Sequence, residues 1–443
     1  MSSVRTFRVV VAVVATVAAT GAGLVAAPAQ AATPSTHLVS RGAADQLGND
    51  ASGLAAVSDT GRYVAFESFA DNLVPGDDNG TPDVFLRDRR TGTTTLVSAT
   101  PTGDVGNGQS IDPAISSTGR WVTFTSAATD LVSGDTSGLF DVFRWNRTNG
   151  NVIRVSVSTT GVEGNRGSFG ASVSRDGRII AFNSQASNLV AGDTNGHPDV
   201  FVHNLNTGRT SRISVTSNER QGNGDSGGIS VPVVSADGKV IAYSSNASNL
   251  VAGDTNGSID VFVRNRSNNT TSRVSVADDG SQADTSSGLD RLSISEDGRY
   301  VVFTSAAALV PTDTSSTDVY VRDRVGLHTV RVSAAPGGAE PDAGAGSASI
   351  SADGSMVAFS SIATNLVPGT DANGFVSDIY LHSMLDQTTT RVSVSSSGVQ
   401  GNANNTLPVI SGDGQHVGFV ADSTNLIPAD TNGATDIFVR DLG

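Results

Sequence analysis

Ser174-Arg175-Asp176-Gly177-Arg178-Ile179-Ile180-Ala181-Phe182-Asn183-Ser184, followed by Asp199-Val200-Phe201-Val202-His203, is the stretch that decides the fold. Arg175 to Arg178 is a tight turn in which Gly177 supplies the positive φ. Ile179 to Ser184 is rich in β-formers, and so is Asp199 to His203 after the loop Gly192-Asp193-Thr194-Asn195-Gly196. Upstream, Ala171 to Ser174 alternates apolar and polar residues. Downstream, Asn206-Thr207-Gly208 turns the chain into Ser211 to Val215. The stretch predicts a meander of four antiparallel strands, with no helical period.

The same pattern recurs seven times. Asp-Val/Ile-Phe/Tyr stands at Asp83, Asp141, Asp199, Asp260, Asp318, Asp378 and Asp436, at intervals of 58, 58, 61, 58, 60 and 58 residues. A period of that size marks a repeat architecture. The Ser-x-x-Gly turn also occurs seven times, from Ser58 to Ser411. The first copy of the fourth strand, His37-Leu38-Val39-Ser40, precedes any complete repeat, and the last repeat stops at Gly443 before its own. The N-terminal strand therefore completes the last blade, which closes a ring and removes a sheet edge. The prediction is an all-β, seven-bladed β-propeller of four-stranded antiparallel blades over residues 32–443, closed by Leu38 and Val39.

The Ser-x-Asp-Gly-Arg-x-Val-Ala-Phe-x-Ser run, followed by Asp-Ile/Val-Tyr/Phe-Val and Arg-Val-Ser, resembles the TolB-type WD40-like propeller repeat over residues 37–443. The resemblance implies the propeller and leaves function open, because such propellers serve binding, transport accessory and catalytic roles. The copies are longer than is usual for that repeat. TolB's helical companion domain has no counterpart, so no outer-membrane role is implied.

Arg5 and Arg8 precede an apolar run from Val9 to about Val25, and Ala29-Gln30-Ala31 fits the small-x-small cleavage rule. Residues 1–31 read as a secretory signal peptide. A retained anchor is the alternative, against which the run is short and rich in Ala and Gly. The expectation is a secreted, extracellular monomer with no membrane association after cleavage. There is no cysteine, so the core alone holds the fold. Lys and Arg number 28 against 43 Asp and Glu, and losing Arg5 and Arg8 takes the net charge from −15 to −17. Such a surface repels nucleic acid and anionic lipid and favours cations.

The long loops, between strands two and three and between strand four and the next blade, fall on one face. Asp-x-Asn-Gly-x-x-Asp recurs there as Asp77, Asn79, Asp83; Asp193, Asn195, Asp199; Asp254, Asn256, Asp260; and Asp430, Asn432, Asp436. Oxygen ligands at that spacing around a glycine bend suit Ca²⁺. The first ligand of an EF-hand-type loop is replaced by Pro75, Ala191, Ala252 and Pro428, and no glutamate closes the loop. The competing reading is an Asx-type turn whose last Asp caps the third strand.

Residues that break the repeat on that face are the candidates for recognition. Phe140, Phe169, His197 and Phe375 are the expected ligand-binding set, suited to stacking on sugar rings or peptide side chains. Trp121 is expected in the core, and Trp145 is open between core and surface. The six histidines show no metal-ligand spacing, and no nucleophile elbow is present. The leading functional expectation is a non-enzymatic scaffold for an unknown protein, peptide or carbohydrate ligand. The alternative is an extracellular polysaccharide- or peptide-cleaving enzyme, which needs at least two unrepeated acidic or histidine side chains together at the channel mouth. The scaffold reading predicts no such cluster there.

Overall fold

The computed structural model describes residues 33–443 except Ile229, Ser315 and Ala429, so the signal peptide expected over 1–31 lies outside the described residues. Seven four-stranded antiparallel sheets follow one another along the chain. Blade 1 consists of Ser52–Val57, Tyr63–Ser68, Asp83–Asp88 and Thr93–Leu96, from the inner strand outward. In blade 7, Asn405–Ile410, His416–Ala421 and Asp436–Asp441 are completed by Ser35–Leu38 from the other end of the chain. The ring closes as the sequence predicts, with Leu38 opposite Phe438 and the Val39 amide donating to the Ile437 carbonyl at 2.7 Å.

Asp441 fastens that closure to its neighbours. Its carboxylate accepts from Arg89 of blade 1 at 2.8 Å, contacts His416 Nδ1 at 2.6 Å and lies 3.4 Å from His37 of the closing strand. Against burial, which would raise it, His37, His416 and Arg89 hold this carboxyl well below the usual range.

The second and third strands of each blade read as apolar runs because each blade is covered on both faces by its neighbours. Each carries a buried aromatic pair, such as Phe66 with Phe85 at 5.8 Å between centroids and Phe419 with Phe438 at 6.0 Å. Such pairs contribute about 0.5–1.5 kcal/mol each beyond their area burial. The outer strands are short and carry Thr, Ser and Arg, which blunts an exposed edge.

The turn glycine does more than permit a positive φ. Gly177 has φ 72°, and a Cβ there would fall 2.1 Å from Cδ1 of Trp121 in the preceding blade. Trp121 is accordingly not the core residue expected. It is half-buried against that turn, with the Arg144 guanidinium 3.9 Å from its ring centroid. Trp145, at 4% exposure, is the tryptophan the core takes in.

The fourth strand also differs from expectation. In blade 3 it is Arg209–Arg212 rather than Ser211 to Val215. The chain leaves the sheet there because Ser214 turns inward, its hydroxyl donating to Asp199 and accepting from the Val200 amide. The inner strands of blades 4 and 5 are only Val233–Val234 and Ser293–Ile294, against six residues elsewhere, because inserted residues interrupt them.

Candidate functional site: the channel mouth

Antiparallel order places both long connections of every blade at one end of the propeller and the tight turns at the other. The starts of the inner strands and the ends of the second strands therefore surround the channel at the long-loop end. The turns between them surround it at the opposite end.

The opposite end is closed by repetition. Main-chain hydrogen bonds of 2.9–3.1 Å run from blade to blade around the turns: Asp59 to Ser117, Arg175 to Ala236, Ala236 to Glu296, Glu296 to Ala352, Ala352 to Gly412 and Asp413 to Asp59. Side chains then bridge across. Arg175 lies 3.4 Å from Asp59 and 3.2 Å from Glu296, and Ser117 Oγ donates to Glu296 at 3.0 Å.

The long-loop end holds charges that do not repeat. Glu67 ends a register otherwise occupied by Thr125, Asn183, Ser244, Thr304, Ser360 and Val420. Its Oε2 accepts the Asp112 amide of the next blade at 2.9 Å. That amide points there because Asp112 sits in a bulge of the inner strand with φ 53°. Burial, reinforced by the Asp112 charge, pushes the Glu67 carboxyl up to about 7, and burial raises Asp112 as well.

Blade 5, across the ring from blades 1 and 2, supplies the opposite sign. The residues inserted before its inner strand include Asp290 and Arg291. Asp290 is held by the Ser347 amide at 2.7 Å and by the Ser347 hydroxyl. The Arg291 guanidinium makes no hydrogen bond and no ion pair within 4 Å among the described residues. Burial pushes its pKa down, while Asp112, Glu67 and Asp290 oppose that from a distance. Phe69 (58% exposed), Leu289 (52%) and Ile362 (43%) stand at the same end of blades 1, 5 and 6. An unpartnered guanidinium facing two carboxyls of raised pKa is an arrangement that functional clefts favour.

The residues singled out from the sequence lie elsewhere on this face. Phe140 and Phe169 come together, 5.3 Å between centroids and both half-buried. His197 pairs through Nδ1 with Asp225 at 2.6 Å, and Phe375 stands 65% exposed on blade 6. Neither is in ring contact with the phenylalanine pair. Glu67, Asp112, Asp290 and Arg291 were not among the residues singled out.

The Asp-x-Asn-Gly loops are Asx turns. Asn79 Oδ1 accepts the Thr81 amide, while its Nδ2 donates to Asp83 at 2.8 Å and to the Gly106 carbonyl at 2.9 Å. Asn195, Asn256 and Asn432 repeat this on Asp199, Asp260 and Asp436. The last Asp caps its strand through a serine: Ser98 Oγ donates to Asp83 at 2.6 Å and accepts the Val84 amide at 3.1 Å. In blades 2 to 6 an arginine of the outer strand joins both aspartates. Arg212 lies 3.5 Å from Asp193 and 3.0 Å from Asp199, and Arg273 lies 3.3 Å from Asp254 and 3.0 Å from Asp260. Two buried acidic clusters, Asp135–Asp141–Glu163 and Asp313–Asp318–Glu340, are compact enough to hold a metal ion. Each is already bridged by a guanidinium, Arg154 and Arg331 respectively.

No protein-family model and no curated protein matches the sequence. Solved structures do. The chain is similar to an oligogalacturonate lyase from Vibrio parahaemolyticus (11% identity, TM-score 0.52, 93% of this chain and 91% of that one). It is similar to the β-propeller domain of the Trilobed protease from Pyrococcus furiosus (9% identity, TM-score 0.53, 88% and 95%). A putative TolB from Agrobacterium tumefaciens also aligns (15% identity, TM-score 0.39, 64% and 80%). Identities this low speak to fold alone. This chain is a seven-bladed β-propeller.

Proposed function

We propose that this protein is a secreted, non-enzymatic binding propeller that takes a ligand at the long-loop end of its channel. The observation that carries the reading is the Arg291 guanidinium, without a hydrogen bond or an ion pair within 4 Å among the described residues, in a channel whose other end is bridged by Arg175, Asp59 and Glu296. A guanidinium recognises carboxylate, sulfate or phosphate with two parallel donors. Glu67 and Asp112 on the facing wall accept from hydroxyl or ammonium groups. Phe69, Leu289 and Ile362 offer apolar surface to sugar rings or peptide side chains. The ligand is thus an acidic carbohydrate or peptide.

An array of acidic oligosaccharides and peptides tests this with wild-type protein and Arg291→Gln. A charge-assisted hydrogen bond is worth about 1.5–3 kcal/mol, so hits should weaken about tenfold or more in the variant. Hits that bind both proteins alike would count against the reading.

A second reading as an extracellular enzyme is favoured by one observation, the raised carboxyls of Glu67 and Asp112 side by side, an unrepeated acidic pair at the mouth that the scaffold expectation did not include and the enzyme expectation required. A carboxyl near 7 is poised for proton transfer at neutral pH. Shortening of an acidic polysaccharide or peptide by wild-type protein, lost in Glu67→Gln, would replace binding by catalysis at the same place.

A further inference from the structure

Five blades carry an arginine where their two loop aspartates meet, and two blades do not. Arg154, Arg212, Arg273, Arg331 and Arg391 each lie within 3.6 Å of both partners. At their register, blade 1 has Leu96 and blade 7 has Leu38. The change is coordinated. Glu163, Gln221, Gln282 and Glu340 reach the guanidiniums of blades 2 to 5, whereas Val105 and Leu47 hold the matching places for blades 1 and 7.

The aspartates nevertheless remain. In blade 1, Asp77 is only 8% exposed and makes no hydrogen bond or ion pair with any described residue. It stands at the register of Asp135, Asp193, Asp254, Asp313 and Asp371, all of which face an arginine. Asp83 is fully buried and carries only neutral partners, Ser98 and Asn79. Two neighbouring buried carboxyls, with no basic group within ion-pair distance of either among the described residues, lack a cation. Blade 7 is a weaker version: Asp430 Oδ1 is buried without a partner, but Arg41 acts on Asp430 and Asp436 from beyond ion-pair distance.

We propose that one Ca²⁺ binds between the Asp77 and Asp83 carboxylates of blade 1, in the place a guanidinium fills in blades 2 to 6. The donors are all oxygen, and the irregular loop suits the flexible coordination of Ca²⁺ better than the strict octahedron of Mg²⁺. Two protein carboxylates, with water completing the shell, place the affinity near that of extracellular calcium modules, about 10⁻⁴–10⁻³ M. The site is independent of the channel ligand. It narrows the four calcium loops expected from the sequence to one, with the Asp430–Asp436 loop the next in order.

The test is calorimetric titration of CaCl₂ alone into metal-free protein at neutral pH, for wild type, Asp77→Asn, and Leu96→Arg combined with Val105→Gln. The wild type should bind one Ca²⁺ per chain. Asp77→Asn should weaken it about tenfold or more, as loss of a charged ligand requires. The arginine graft should abolish it while unfolding, without metal, at the wild-type temperature or above. If the graft fails to fold, the nearly isosteric Asp77→Asn decides alone. No saturable heat up to about 10 mM Ca²⁺, tenfold beyond the expected range, would overturn the proposal, and so would binding that Asp77→Asn leaves unchanged.

Discussion

The two ends of the channel are built on opposite principles. At the tight-turn end every blade contributes the same turn, and the seven turns join through main-chain hydrogen bonds that ask nothing of the side chains. The charges that cross it, Arg175 with Asp59 and Glu296, satisfy one another. At the long-loop end the inner strands bulge or break, and the charges there come from single blades and do not meet. A propeller owes its stability to what its blades share. Its chemistry lies where one blade departs from the rest.

Breaking the ring should have the largest effect, because both ends depend on it. Removing residues 33–40 exposes the edge of Asp436–Asp441, empties the places of Leu38 and Val39 and leaves buried Asp436 without the Ser40 hydroxyl. Two core side chains and one buried carboxylate bond together are worth several kcal/mol, about 5 or more. Thermal unfolding and light scattering should report loss of the cooperative transition or aggregation. A truncated chain that melts like its parent would disprove the closure.

Acidity sharpens the comparison at the long-loop end. Glu67 is at about 7 in the folded chain against an ordinary 4.5, so the folded state holds its proton more tightly than the unfolded state. Its contribution to stability is therefore complete below pH 4.5, declines as pH rises and is gone above about 7. Asp77 and Asp83 move in the same direction. Asp323 and Asp441, held low by Arg299 and by His37, His416 and Arg89 respectively, act oppositely and lose their contribution only in stronger acid. Metal-free protein should thus be more stable at pH 5 than at pH 8. Glu67→Gln should flatten the slope by about 1–3 kcal/mol, at roughly 1.4 kcal/mol per pH unit less solvent screening. An unchanged slope in that variant would take Glu67 out of the buried channel.

The fold was legible because it is local and repeated. Six spacings near 58 and one displaced strand specify the ring before any contact is known. The fourth strand lies two to three residues before the expected one because Ser214 serves a cap, and a cap shares the apolar/polar alternation of a strand. The channel mouth was not read, although part of its signal was present. Glu67 is the only charge in its register, but it sits inside a strand whose period marks burial and not chemistry. Arg291 was hidden more thoroughly. Asp260 and Asp318 keep the usual interval of 58 because two residues gained before the inner strand are offset by two lost from the following loop. The pairing of blade 5 with blades 1 and 2 exists only across a closed ring, and no short-range period encodes it.

The most direct test compares the two arginines at the two ends. Using a ligand from the acidic oligosaccharide and peptide array, binding is measured for Arg291→Gln and Arg175→Gln side by side, with thermal unfolding of each. Arg175→Gln should keep wild-type affinity and lose at most about 1 kcal/mol, since its ion pairs are solvent-exposed. Arg291→Gln should lose binding about tenfold or more and little stability, because its guanidinium makes no hydrogen bond and no ion pair within 4 Å among the described residues and feels Asp112, Glu67 and Asp290 only from a distance. Equal affinities for the two variants, or a loss confined to Arg175→Gln, would contradict the claim that the long-loop end of the channel is the functional end.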